Sequence, residues 1–457
     1  MLAVAQGGPP GGPPPPQAPP ALSGFSVIPF NFGPPGARSL GMGGTFLAIA
    51  DDATASESNP AGLIKLSRPE LSLHLRHSDF SIEAVDINAV AALGDLNTAR
   101  GPEAALEPGR SVGNAFAESV RTRFDDSVSE PSFVSYVEPL RHWTFSIFFQ
   151  RSAAFAGNNR FTAYDDIALD VYRTRQELDL DLENLGISAA FRLGPRIALG
   201  FSARASRLRL SALQETRVDF GNGFEFEQLE AGVDLATLEA LSLVDQQINR
   251  ESPDDEDTTF TWNAGLLINP DGAVSFGLVY KEGGSFEIDG QVEEFSCFAM
   301  EISGRVDCQP PPMGGMRSTR RIEVPDFYGA GITWRATPRF RLALDVNRIT
   351  YSELSFGRLE NPNTDPGRQE FEDIEDATEV HLGLEYIFFV GSGGTPLTVR
   401  AGAYTDPDHD GFRRIDSEET VLTFGLGTVL MEKFQIDVAG QFSDRADVAI
   451  LSMVYRF

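Results

Sequence analysis

The chain closes on Asp447-Val-Ala-Ile-Leu-Ser-Met-Val-Tyr-Arg-Phe457, and the spacing within this stretch decides the fold. Ala449, Leu451, Met453, Tyr455 and Phe457 fall on one side of an extended chain, while the other side includes Ser452 and Arg456. A helix would spread the apolar set around its axis. Successive side chains of a strand point to opposite faces, so a period of two puts one face in an apolar medium and the other in a wet one.

Working outward, the same period recurs. Phe340, Leu342, Leu344 and Val346 alternate with Arg339, Arg341, Asp345 and Asn347. Val380, Leu382, Leu384, Tyr386 and Phe388 alternate with Glu379, His381 and Glu385. Leu422, Phe424, Leu426 and Leu430 form a further set, as do Phe434, Ile436 and Val438 against Gln435, Asp437 and Gln441. Segments of this kind lie near 69–80, 131–138, 142–151, 180–193, 196–212, 258–269, 273–288, 320–336, 338–352, 376–390, 396–405, 418–430, 433–443 and 446–457, fourteen in all. Several reach the ~9 to 11 residues that an oblique bilayer crossing needs.

The connections alternate in kind. Pro139–His142, Gly194-Pro195, Asn269–Gly272, Thr337-Pro338, Gly391–Gly394 and Met431–Lys433 are short. Those near 81–130, 152–179, 213–257, 289–319, 353–375 and 406–417 are long, polar and acidic. Short turns at one end and long loops at the other mark an outer-membrane barrel. The expected fold is therefore all-β, a fourteen-stranded antiparallel transmembrane barrel with both termini at the periplasmic, short-turn end. In the alternative, a soluble sandwich or lipocalin, the apolar face would point inward. The apolar rows here are too many for one interior, and ionisable residues recur on the opposite face, where a packed core would not tolerate them unpaired.

Composition narrows the function. The chain has 457 residues with 44 Gly and 29 Pro, as expected of many turns. No run approaches the ~18 to 20 apolar residues of a membrane-crossing helix, and 34 Phe with 9 Tyr are far too many for wholesale disorder. A net charge of −29 excludes nucleic acid and attraction to anionic lipid as modes of action. Cys297 and Cys308 are the two cysteines, so either one loop-closing disulfide or two buried thiols is open.

Residues 1–23 divide from the rest. Met1–Gln6 contains the small-x-small pattern Ala3-Val4-Ala5 of a signal-peptidase site, read as the remnant of a signal peptide. Eight prolines then fall between Pro9 and Pro20, and the first charge is Arg38, so this stretch is read as a polyproline-type arm.

Residues 24–68 carry the most specific pattern: Gly24-Phe25-Ser-Val-Ile-Pro-Phe30, Gly36-Ala-Arg-Ser-Leu-Gly-Met-Gly-Gly44, Ala48-Ile-Ala-Asp-Asp-Ala53 and Ser58-Asn-Pro-Ala-Gly-Leu63. The combination resembles the plug, or hatch, of the FadL/TodX family of outer-membrane transporters for long-chain fatty acids and other hydrophobic compounds. Similar family features follow at Asn269-Pro270 with Ser275–Tyr280, at Val324-Pro-Asp326 with Gly329–Arg335, at Leu344-Asp-Val346 before Tyr351-Ser352, and at Arg400-Ala-Gly402 with Tyr404. The terminal Tyr455-Arg-Phe457 resembles the signal read by barrel-insertion machinery. Physically, glycines and alanines here permit close approach inside a lumen too wide for strand side chains alone to fill. Residues 69–457 would form the barrel with its extracellular loops.

The resemblance implies a bacterial outer-membrane channel that takes up hydrophobic compounds, long-chain fatty acids first among them, by diffusion and lateral exit into the bilayer. It also implies a kink in the third strand beside Asn59, Pro60 and Ala61, with Gly157 as a candidate bend. A methylene prefers hydrocarbon by ~0.8 kcal/mol, so lateral exit avoids returning the solute to water. In the family Gly-Phe lies near the mature N-terminus, whereas here a long arm precedes Gly24-Phe25, a departure that bears on any N-terminal trigger. The alternative is a structural or secretion-associated plugged barrel that carries no solute; a hydrophilic porin is disfavoured by the plug.

Candidate ligand contacts are Leu235, Leu238 and Leu241 on an amphipathic stretch Leu229–Ile248, with a weaker one at Val85–Leu96. Phe148 faces inward by parity, as do Arg341 and Arg400, which would meet a substrate carboxylate or pair with Asp345, Glu385, Asp437 and other wall acids across strands. Asp406-Pro-Asp408-His-Asp410-Gly411 opens like a calcium loop, but Ser417 stands where the bidentate Glu belongs, so a weak Ca²⁺ site competes with a solvated acidic loop. Acidic loops would also bridge to lipopolysaccharide through divalent cations. With five His and no G-x-S-x-G motif, the expectation is no enzyme, no cofactor and a monomer.

Overall fold

A computed structural model of the protein describes residues 32–85, 121–165, 170–220, 245–300, 305–309, 316–353, 376–391, 394–407, 419–443 and 446–457. Seventeen strand segments form one sheet that closes as a barrel of fourteen wall strands. The first six are Glu70–Val85, Arg121–Pro139, Trp143–Asp165, Asp170–Arg192, Ile197–Phe220 and Asp245–Ile268. The seventh has two pieces, Val274–Lys281 and Gly284–Met300, both paired with the sixth. The eighth has three, Arg305–Gln309, Met316–Val324 and Phe327–Thr337, all paired back onto the seventh. Phe340–Ile349, Ala377–Val390, Thr395–Asp406, Glu419–Leu430, Phe434–Phe442 and Ala446–Arg456 complete the wall.

Closure is direct. Leu71 of the first strand stands opposite Tyr136 of the second and Tyr455 of the last, so neither strand offers a free edge at this level. At the short-turn end the Phe457 amide donates to the Pro69 carbonyl at 3.1 Å, bringing the two ends of the wall together.

The stripes face as their parity predicts. Leu382, Leu422, Phe424 and Leu426 are each at least 50% exposed, whereas Glu385, Arg400, Asp437 and Ser452 are at most 5% exposed. The greasy rows look outward to lipid, and the polar rows surround the lumen.

Strand lengths differ from the sequence expectation. The third to sixth strands run 23 or 24 residues, about twice what a bilayer crossing requires. The stretch near 152–179 is therefore largely wall, with Asp165 opposite Asp170, and of the stretch near 213–257 residues 213–220 and 245–257 are wall as well. This overturns the helical reading of Leu229–Ile248 at its end, since residues 245–248 pair with the fifth strand; Leu235, Leu238 and Leu241 lie outside the described residues. Val85 ends the first strand, and 86–96 are likewise outside them. These projecting segments carry charge on their outer face and turn their apolar residues to the lumen, and cross-strand ladders with their neighbours hold them extended.

Inside the lumen sits the plug. It contains the short helices Ala37–Gly41 and Ala55–Ser58 and the 3₁₀ turn Pro60–Lys65. Asn59 starts the last, its Oδ1 accepting from the Ala61 amide at 3.2 Å while its Nδ2 donates to the Leu47 carbonyl at 2.7 Å. Met42, Phe46, Ile49, Ala53 and Leu63 are fully or almost fully buried. Gly402 shows what lets the plug fit: a Cβ there would lie 2.2 Å from the Gly43 nitrogen, and Gly43 itself has φ +66. Backbone touches backbone across the interface.

Candidate functional site: an apolar column, a charged pocket and an open seam

Along the fourth and fifth strands the inward parity is kept while its chemistry changes. Within the bilayer section Ser188, Ser202, Arg204 and Ser206 face the lumen, and Leu185, Ile187 and Phe201 face out. Farther along, Leu178, Leu180, Leu182, Leu208, Leu210 and Ala212 face the lumen, and Asp179 and Arg209 face out. Phe155, Phe286, Ile288, Ile322 and Val324 join the inward set, with Phe32 packed against it. The outer lumen is thus apolar inside and charged outside, the inverse of the membrane section. Such a surface binds what water rejects.

Below this column lies a pocket, part of it open to solvent, that shares Phe32, Leu182 and Val324 with the column. Its floor is charged. Glu57 of the plug accepts from Lys281 Nζ at 2.9 and 3.0 Å, with Arg204 Nη1 3.9 Å from the same carboxylate. Lys281 also donates to the Phe32 carbonyl at 3.2 Å and lies 5.0 Å from the Phe327 ring centre. Arg204 donates to Thr261 Oγ1 at 3.1 Å and to the Glu282 carbonyl at 2.5 Å. Gln150, Ser152, Asn184, Ser206 and Glu282 add to the polar lining. An apolar roof over a buried charged floor fits a solute with a long apolar body and a polar end.

The wall beside this pocket is not continuous. The second and third strands pair only from Phe133↔Gln150 down to Pro139↔Thr144. Above that rung, residues 121–131 pair with the first strand and 151–165 with the fourth, and the two do not pair with each other. Ser132 is skipped by the register of the second strand, and Ser152 by that of the third. Two bulges therefore bend the strands apart at the same level. Pro131, with no N–H for a ladder, stands where the pairing stops. Gln150 and Ser152 line both the pocket and this seam.

Phe148 is on the inward face, as its parity requires, and is 1% exposed. It stacks on Phe133 at 6.0 Å just below the seam. The bend of the third strand is at Ser152, and Gly157 sits regularly opposite Leu178. Asn59, Pro60 and Ala61 press on the fifth and sixth strands: a Cβ at Gly200 would lie 2.1 Å from the Ala61 nitrogen, and one at Gly265 2.1 Å from Asn59 Oδ1. Ser56 of the plug hydrogen-bonds to the third strand, its hydroxyl accepting from Ser146 at 2.8 Å.

Arg341 and Arg400 are held by acids. Arg341 lies 3.3 Å from Asp51 and 3.4 Å from Glu385. Arg400 binds Glu385 at 2.8 Å and Asp437 at 2.6 Å. Arg38 of the plug completes the cluster, 2.5 Å from Asp51 and 3.2 Å from Glu385. These arginines dock the plug and sit apart from the pocket. Burial pushes Asp51 up, but the nearby Arg38 and Arg341 outweigh it and hold its carboxyl well below the usual carboxylate range. Burial also lowers Lys65, to about 8, while its ammonium donates to the Ala48 carbonyl at 3.2 Å.

Asp406 ends the eleventh strand, and Asp408 and Asp410 lie outside the described residues, as do Gly24 and Phe25. The backbone sets Cys297 directly opposite Cys308 in an antiparallel pair. Sequence reasoning missed Glu57, Arg204, Lys281 and the two bulged serines. A lysine ending the apolar run at Tyr280, followed by Gly283-Gly284, was the one available signal.

Comparison with known proteins agrees with this geometry. A long-chain fatty acid transport protein of Escherichia coli O6:H1 is 22% identical over 431 residues, covering 92% of this chain and 86% of that protein. The structure of a Pseudomonas aeruginosa FadL homologue superposes with TM-score 0.60 at 14% identity, over 95% of this chain and all of the other. That of the P. putida toluene transporter TodX gives 0.56 at 15% identity, over 93% and 99%. The model of the family described as outer membrane protein transport protein (OMPP1/FadL/TodX) matches residues 35–452, and the chain belongs to that family of outer-membrane transporters of hydrophobic compounds.

Proposed function

We propose that this barrel takes up long-chain fatty acids, or solutes of similar amphipathic shape, and releases them sideways into the outer leaflet's hydrocarbon. The observation that carries the reading is contiguity. The apolar column meets the charged pocket at Leu182 and Val324, and the pocket meets the wall seam at Gln150 and Ser152. A fatty acid chain leaves water in the outer column, gaining ~0.8 kcal/mol per methylene. Lys281 and Arg204 receive its carboxylate, in competition with Glu57. The alkyl chain then slides past Phe133 and Phe148 into lipid and never re-enters water. Diffusion down a gradient suffices, so no residue is assigned a catalytic role.

The test is mass spectrometry of small molecules retained by the protein purified in a mild detergent, paired with growth on oleate of cells relying on this protein. Co-purified fatty acid and oleate-dependent growth support the reading. Retention of neutral hydrocarbons alone, with no growth on oleate, would replace the substrate class.

A further inference from the structure

We propose that Arg151 latches the seam between the second and third wall strands, and that breaking its bond to Glu130 opens the lateral exit. The proposal rests on the lateral route described above. Arg151 is the first residue above the last shared rung, Phe133↔Gln150. By parity with Phe145 and Ile147 its side chain starts on the outer face, whereas Glu130, opposite Arg76, belongs to the lumen face. They meet through the opening: Arg151 Nη1 donates to Glu130 Oε2 at 2.7 Å, where backbone pairing between the two strands has ceased.

The surroundings suit a bond that breaks and re-forms. Arg151 Nη2 also donates to Glu183 at 2.6 Å, and its Nε is 3.7 Å from Asp181. Glu130 faces Arg76 in the register of the first strand. When the two part, Arg151 keeps Glu183 as its counter-ion, and Glu130 still stands opposite Arg76 in the register. Opening therefore leaves the guanidinium paired, which removes one usual reason for such a pair to be permanent. The Ser152 bulge next door spares the third strand from breaking ladder bonds as it moves, because on this side it has none to break. The pair also crosses the solute's path, since Ser152 lines the pocket.

The experiment measures initial oleate uptake by cells producing the full chain, with heat-modified gel mobility confirming assembled barrels. Removing a partly exposed ion pair shifts such an equilibrium by up to about fivefold. Arg151→Gln and Glu130→Gln are each expected to raise uptake several-fold, and the double variant no further than either. Glu130→Gln leaves the Arg151–Glu183 contact in place, so it still reports if Arg151→Gln fails to assemble. A separate variant, Ser132→Cys with Ser152→Cys in a C297S/C308S background, is closed with a short bis-maleimide. If closure stops uptake while both glutamine variants match the parent, or fall below it, the latch is overturned and the lateral route stands. If closure leaves uptake unchanged, the lateral route itself is overturned, and the latch with it.

Discussion

Lys281 of the seventh wall strand lies 2.9 Å from Glu57 of the plug, and both are almost fully buried. The pair joins the two parts of the molecule at the floor of the pocket. In the proposed route the plug is part of the binding surface as well as a stopper, and a ligand carboxylate reaching Lys281 must contend with a plug residue.

Lys281→Met should separate acidic from neutral solutes. A charge-assisted hydrogen bond contributes about 1.5–3 kcal/mol, so fatty acid binding should weaken tenfold or more. Pairing it with Glu57→Gln avoids leaving a buried carboxylate unpaired. Isothermal titration with oleate and with a neutral hydrocarbon of equal length checks this; equal losses for both would deny Lys281 its role.

Leu208→Asp tests the apolar column. Leu208 is fully buried on the lumen face, and an unpaired carboxylate there would be hydrated and repel an alkyl chain. Oleate uptake should fall at least tenfold, by the transfer cost of a few methylenes. Barrel assembly, read by gel mobility, should persist because outward Arg207 and Arg209 still pair with Glu256.

Gly402→Ala tests plug seating. The new methyl would lie 2.2 Å from Gly43 nitrogen and 2.4 Å from the Met42 carbonyl carbon, backbone atoms with nowhere to go. Overpacking of this kind costs about 1–3 kcal/mol. Cells carrying the variant should leak a small hydrophilic dye that the parent excludes.

Plug docking should be acid-resistant until the pH falls below the ordinary carboxylate range. Asp51 binds a proton at lower pH in the docked plug than in the unfolded chain. Its contribution is complete above the unfolded value, near 4, and is lost as pH falls through the lower, docked value. Protease protection of the plug should hold at pH 5 and fail only in stronger acid. Asp51→Asn should remove about 1.5–3 kcal/mol of docking free energy at neutral pH and flatten the acid transition.

Much of the barrel was legible because lipid and lumen impose opposite demands on alternate residues. The run Leu422, Phe424, Leu426 could be placed outward without any knowledge of its neighbours, and the plug was legible in its ordered Ala-Asp-Asp-Ala and Asn-Pro-Ala segments. Of the third to sixth strands, the third was legible only to residue 151 and the sixth only from residue 258, at the edge of the bilayer, whereas the segments 180–193 and 196–212 ran past it. Beyond it, Leu178–Leu182 and Leu208–Ala212 still alternate, but their greasy face turns inward, and period alone gives no sign for that reversal.

By itself, the sequence determined that strands cross a membrane, how many there are and which residues face lipid, because a two-residue period is a local property read one strand at a time. Tertiary structure decided where the pocket and seam lie. Glu57, Lys281 and Arg204 are far apart in the chain and meet only when plug and wall are in register. The seam exists because two bulges, at Ser132 and Ser152, come to the same height on neighbouring strands, and register between strands is a relation that no single strand contains.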